Sequence, residues 1–222
     1  MHRKIGSVIV KGASVAHGGS EGSEESPPEV RSVSSRIVYQ NKWMTVREDE
    51  VEWPGGFPGI YGVVEKPDFS LVIPHHQGKF QLVEQYRYPV LDRFWEFPQG
   101  SWPAGNGGQE GRSTTGPDLE DATALARAEL AEETGLQARS LRWLGRINVA
   151  HGYSSQRCQV FLAEELIPGR PRPEQTEVGM RQRWASRREV DALIEAGTFA
   201  DSSSLAALAL FDRFVGSQHM TT

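Results

Sequence analysis

Glu129 and Glu133 stand four residues apart in the segment from Glu120 to Leu136, with Glu132 between them. On an α-helix that spacing puts Glu129 and Glu133 on one face and leaves Glu132 at its edge. Like charges gathered this way destabilise an isolated helix. A divalent cation removes the penalty, and oxygen ligands from one or two carboxylates suit Mg²⁺ or Mn²⁺. Taken alone, a glutamate pair reads better as a solvated acidic helix face. Ala126 and Leu130 lie on a neighbouring stripe that can face a core.

The elements that must hold these acids follow from the local pattern. A helix is expected from about Asp121 to Thr134, with Asp121 as its cap and Gly135 in the left-handed position after its end. Ahead of it, β-branched and alternating residues predict strands at residues 36–39, 44–47 and 60–64, forming a small antiparallel unit that needs a surface to pack on. Further strands are expected at 70–74, 80–87 and 94–98. The loop from His75 to Lys79 joins the first two; adjacent histidines on a strand point to opposite faces, which argues against a metal there. Behind the helix come strands at 140–148, 159–166 and 183–185 and two amphipathic helices, near 187–196 and 203–215. The stretch 11–32 is Gly, Ser, Glu and Pro and cannot bury enough surface to order itself. Residues 101–118 are loop-like throughout. The expected organisation is thus a disordered leader (1–34), an amino-terminal β subdomain (35–66) and a main α/β domain (67–217) with an extended loop at 101–118.

Composition narrows the functional classes. The chain has 222 residues and a formal net charge of −5, a poor match to unspecific nucleic-acid or anionic-membrane binding. No apolar run approaches the length of a membrane span. A single cysteine, Cys158, excludes an intrachain disulfide and a cysteine-rich zinc site. The amino terminus carries charge without an apolar stretch, so no secretory signal is read and a cytoplasmic location is expected.

The acidic segment resembles the Nudix box, whose pattern is G, five residues, E, seven residues, then R-E-U-x-E-E-x-G-U with U a bulky aliphatic. Glu120 matches the first glutamate, and Glu129 through Leu136 agree in full. Two positions depart. Ala128 stands where the box has Arg, which in the family helps orient the acids, and Arg127 is rotated about 100° away on a helix. The leading glycine is best matched by Gly100, in Phe97-Pro98-Gln99-Gly100, twenty positions before Glu120 rather than six. Such an insertion costs little chain entropy. The segments around Val64–Asp68, Val72–Pro74, Val83–Pro89, Phe94–Pro98, Val160–Ala163 and Gly197–Leu208 are similar to the ADP-ribose pyrophosphatase branch, so the likeness spans about residues 36–216.

The resemblance implies a Nudix α/β/α sandwich with a mixed sheet and a small amino-terminal antiparallel β-sheet. It implies metal-dependent hydrolysis of the pyrophosphate bond of ADP-ribose or a related nucleotide sugar, giving a nucleoside monophosphate and a sugar phosphate. The metal, Mg²⁺ with Mn²⁺ as the other choice, would be held by Glu129, Glu132, Glu133 and the backbone carbonyl of Gln99, with Glu120 a weaker candidate. Glu132, Glu133 and a base from a later loop would be catalytic. Glu177 lies nearer the expected place for that base than Glu174. Arg87 and Glu96 are the candidate substrate contacts, and Tyr39, Trp43 or Phe57 can stack on a base. Proteins of this kind are commonly homodimers, so the expected partners are a small nucleoside diphosphate derivative and a second copy, with neither nucleic acid nor membrane. A module that binds nucleotides or regulates, with little turnover because of Ala128, is the alternative.

Overall fold

The computed structural model describes residues 29–102, 118–172 and 179–219. Two compact units divide them. The expected leader lies outside the described residues as far as residue 28.

The smaller unit is an antiparallel sheet of β1 (Arg31–Gln40), β2 (Thr45–Trp53) and β3 (Phe57–Glu65), with β2 central. The sheet begins four residues before the start expected from the pattern, because Arg31 and Ser34 pair with Glu52 and Glu50. Asn41 closes the first turn with its side chain, accepting from the N–H groups of Trp43 and Met44. The segment 150–156 belongs to this unit too. Val64 donates to the Tyr153 carbonyl at 2.8 Å, and the Tyr61 hydroxyl donates to the Gly152 carbonyl at 2.8 Å.

The larger unit is built on a mixed seven-stranded sheet. Its strands are β4 (Phe69–His76), β5 (Lys79–Arg87), β6 (Asp92–Glu96), β7 (Gln99–Ser101), β8 (Leu136–Asn148), β9 (Arg157–Pro168) and β10 (Arg181–Ser186). The main order is β10-β5-β4-β9-β8; β4 and β9 are parallel. β4 and β5 pair only at the hairpin end, through His75 with Phe80 and His76 with Lys79, and then splay. β6 fills the gap along β5 and β7 along β4, so Phe97-Pro98 crosses the splay. Gln77 and Gly78, both at positive φ, make the tight hairpin turn.

Every β4 residue from Phe69 to Pro74 is buried, as expected of a strand covered on both faces. Side chains alternate between two cores. Leu71 and Ile73 join Phe80, Phe97, Phe161's neighbours Val160 and Leu162, Phe199 from the connection between the carboxy-terminal helices, and Leu208 and Phe211 from the last helix. Val72 joins Ala122, Ala126, Leu130 and Phe161 on the other side. The helices are α1 (Leu119–Thr134) on one face and α2 (Arg187–Glu195) and α3 (Ser202–His219) on the other. This is the expected α/β/α sandwich. The two adjacent histidines do diverge: His75 packs on Phe80 and Phe211, His76 faces Trp184.

Candidate active site

Helix α1 forms because its segment is rich in alanine and both ends are capped. The cap is Asp118 rather than Asp121, so the helix starts two residues earlier than the sequence pattern suggested; the Asp118 carboxylate accepts from the Asp121 N–H at 2.9 Å. Glu120 and Asp121 in the first turn suit the positive end of the helix dipole. Glu120 is exposed there, nine residues before Glu129 and so on the opposite side of the helix. Gly135 ends the helix at φ +73 and its N–H bonds the Ala131 carbonyl. A side chain at Gly135 would meet the backbone of Arg170 and Pro171 within 2.8 Å, so the box glycine is required by space as well as by conformation.

The last turns of α1 hold three glutamates and no basic residue, at the negative end of the dipole. Glu133 is 1% exposed, while Glu129 and Glu132 are half-buried. β7 passes directly beneath them. A Cβ at Gly100 would fall 2.0 Å from the Glu129 carboxyl carbon, so only glycine lets that carboxylate seat against the strand. The Gln99 N–H donates to Glu133 Oε2 at 3.3 Å. The structure therefore brings Gln99, Glu129 and Glu133 together from two elements. Glu132 sits on the edge, its own carbonyl accepting from the Arg172 N–H at 2.8 Å.

Among the described residues, no three His, Cys, Asp or Glu side chains already converge at metal-ligating spacing. The donor set nonetheless fits a hard cation that keeps several waters: carboxylates at a negative helix end and a strand glycine opening the approach. The vacated box arginine has no substitute in Arg127, whose guanidinium donates to the Ala138 carbonyl at 2.6 Å. Ala128 itself is exposed. Two of the bonds on Glu133 here are the Gln99 N–H on its carboxylate and the Gln182 side-chain amide on its backbone carbonyl.

Arg87 and Glu96 form one unit on β5 and β6. The Arg87 Nε donates to Glu96 Oε2 at 3.2 Å and Nη2 to Oε1, while the Gln85 amide donates to Oε1 at 2.6 Å. Glu96 is 1% exposed and Arg87 40%, so the carboxylate aims the guanidinium and the guanidinium faces solvent. Burial pushes the Glu96 carboxyl above the usual glutamate range; Arg87 opposes this and the charge of Asp201 adds to it. Glu96 thus anchors Arg87, the other residue expected to meet substrate.

Glu174 and Glu177 lie outside the described residues, as does most of the 101–118 loop. Tyr39, Trp43 and Phe57 are exposed on the small sheet, and His151 is exposed in the segment resting against it. Cys158 is buried; burial first, then Asp201 and Asp68, push its thiol far above the ordinary range, so it is an inert packing group. Asp201 and Ser204, which the sequence offered only within the resemblance at Gly197–Leu208 and not as site residues, bond the Gln99 side chain and the Phe97 N–H. Apart from that resemblance, their local signal is the D-x-x-S spacing of a helix cap.

A family model described as the nucleoside diphosphate sugar hydrolase N-terminal domain matches residues 31–64, the small sheet. The chain is 28% identical over 179 residues to an ADP-ribose pyrophosphatase of Mycobacterium tuberculosis, covering 80% of each. It is 27% identical over 139 residues to an ADP-ribose pyrophosphatase of Bacillus subtilis, covering 62% of this chain and 68% of that one. A crystal structure of an ADP compounds hydrolase matches with a TM-score of 0.71 at 18% identity, covering 88% of this chain and 98% of the other. At that identity the likeness speaks for the fold.

Proposed function

We propose that this chain, which belongs to the Nudix hydrolases of the ADP-ribose pyrophosphatase-like branch, hydrolyses the pyrophosphate bond of ADP-ribose or a closely related nucleotide sugar. Water adds to one phosphorus and the bridging oxygen leaves with the other. The products are a nucleoside monophosphate and a sugar phosphate.

The observation that carries this reading is the seating of Glu129 against Gly100, beside Glu133 on the Gln99 N–H. Glu129, Glu133, Glu132 and the Gln99 carbonyl would hold a divalent cation, Mg²⁺ or Mn²⁺. Such a cation, when bound, neutralises the pyrophosphate and lowers the pKa of its water. The chain's own residues do the rest. Glu133 is buried and tied to the strand by the Gln99 N–H, which fixes where its carboxylate stands. Arg87, forked onto Glu96, presents a fixed guanidinium to a phosphate or ribose oxygen. Glu177, with Glu174 beside it, is the candidate base that takes the proton of the attacking water.

The proposal includes a homodimer joined through the small sheet, whose exposed Ile37, Tyr39, Phe57 and Ile60 offer an apolar surface for a second copy. No helix among the described residues is long and apolar enough to cross a membrane. A cytoplasmic setting is part of the proposal; the lone buried cysteine suits a reducing compartment. Ala128 favours a second reading, a nucleotide-binding module with little turnover.

Chromatography of products from ADP-ribose, a GDP-sugar, a UDP-sugar, a dinucleoside polyphosphate and a nucleoside triphosphate separates these. Monophosphate release from ADP-ribose above the others supports the enzyme and its branch. Binding of ADP-ribose without release on any member would favour the module.

A further inference from the structure

The bend at Phe97-Pro98 is where β6 leaves β5 and β7 joins β4, so its backbone belongs to neither ladder alone. The Phe97 N–H and the Ser204 side chain are both buried; Phe97 and Ser204 are each 0% exposed. The Ser204 hydroxyl oxygen, 107 residues away in sequence, accepts that N–H at 3.1 Å. One residue on, the Pro98 carbonyl accepts from the Val72 N–H at 2.9 Å. At the next residue, the Gln99 side-chain amide donates to Asp201 Oδ2 at 3.4 Å. The same Asp201 oxygen caps α3, accepting the Ser204 N–H at 2.8 Å. The first turn of α3 therefore grips the two residues that flank Pro98, and the second of these gives its N–H to Glu133. The Trp95 N–H, at the other end of the bend, donates to the Thr198 carbonyl at 2.8 Å, so the segment leading into α3 lies along the whole crossing.

We propose that Asp201 and Ser204 are positioning residues, which set the Phe97–Gln99 backbone and through it hold Glu133 in its metal-facing orientation. The inference rests on the reading of Gln99, Glu129 and Glu133 as the metal-binding group. It explains how this chain keeps its acids in place with Ala128 in the box. The orienting contacts come from the opposite face of the sheet, through the splay between β4 and β5, rather than from a neighbouring arginine on α1 itself. Neither Asp201 nor Ser204 touches substrate or metal in this scheme.

The test compares Mn²⁺ affinity of the full chain, by electron paramagnetic resonance of free Mn²⁺, among the parent, Ser204→Ala, Asp201→Asn and Ser186→Ala. Ser186 is the matched control: it caps α2 with a full capping box and pairs with Lys79 at the start of β5. Thermal melts accompany each titration. Asp201→Asn retains a good helix cap and guards against a Ser204 variant that does not fold. The expected result is weaker Mn²⁺ binding by about tenfold in Ser204→Ala and by a smaller factor in Asp201→Asn, with Ser186→Ala losing melting temperature but not affinity. Kinetics with ADP-ribose should show the loss in kcat at fixed low Mn²⁺ and its recovery as Mn²⁺ is raised. Parent-like affinity in folded Ser204→Ala and Asp201→Asn would overturn the clamp alone. Absence of Mn²⁺ binding in the parent would overturn the reading of the acids, and the clamp with it.

Discussion

Along β4, every side chain from Phe69 to Pro74 is buried, whereas along β1 nine of ten residues are exposed. The larger sheet is covered by α1 on one face and by α2 and α3 on the other, and it owns both apolar clusters. The small sheet is held chiefly by its ladders; its surface ion pairs, such as Arg31–Glu52 and Arg36–Glu48, contribute little. It leaves Trp43, Phe57 and Ile60 more than 60% exposed. The acids lie on α1, in the unit that holds both apolar clusters. Metal binding and chemistry should therefore survive damage to the small sheet, and association should survive damage to the acids.

The largest effect that would break this separation is at Glu133. Glu133→Gln removes charge from a buried position and should lower kcat by about 10²–10³-fold, the range for losing one strong electrostatic stabiliser, with the sedimentation coefficient unchanged. An altered oligomer would show that the two regions are not independent. Gly100→Ala comes next. The added methyl takes the space of the Glu129 carboxylate, and a displacement near 1 Å costs about 10²-fold in rate. Thermal melting and Mn²⁺ titration of that variant distinguish a displaced ligand from an unfolded chain.

Glu96→Gln sharpens the account of Arg87. It keeps shape but removes the charge that fixes the guanidinium, and should raise KM about tenfold with a smaller change in kcat. The pH dependence has a definite sign. Burial raises the Glu96 carboxyl above its ordinary value of 4.5, so on acidification it protonates before an exposed glutamate does. KM should begin to rise at a pH above that value, and Glu96→Gln should flatten the rise. Its contribution to stability runs the other way: it is fully present below the unfolded-state pKa and is lost as pH rises through the raised folded-state value. Parallel KM profiles in parent and variant would assign the acid limb to another group.

The smallest effect on chemistry is expected from the small sheet. Ile37→Glu with Ile60→Glu should shift the proposed dimer toward monomer in sedimentation. Exposed positions of this kind change fold stability by no more than about 0.5 kcal/mol. Mn²⁺ affinity should stay at the parent value.

The sequence made the helix face legible, because a period of 3.6 residues turns Glu129 and Glu133 into neighbours without any knowledge of the rest. The strand at 70–74 and the capped end at Gly135 were readable from local pattern too. Asp118 was missed as the cap because it sits at the end of the long loop, where Asp121 looked equally suitable. The bonds from Arg87 and Gln85 to Glu96 could not be read, since these residues meet only through the β5–β6 pairing. Ser204 is more distant still: a hydroxyl meets an N–H across more than a hundred residues, and no periodicity encodes that. Gly100 lay between these cases, visible as a motif position while its reason, the Glu129 carboxylate against the strand, needed coordinates.

The most direct measurement of the central claim is the release of AMP from ADP-ribose as a function of Mg²⁺, in the parent and in Glu133→Gln, both shown to be folded. The account predicts release that is absent after chelation, saturates with Mg²⁺, and falls by at least about 10²-fold in the variant. Release that persists in excess chelator, or that Glu133→Gln leaves at the parent rate, would contradict it.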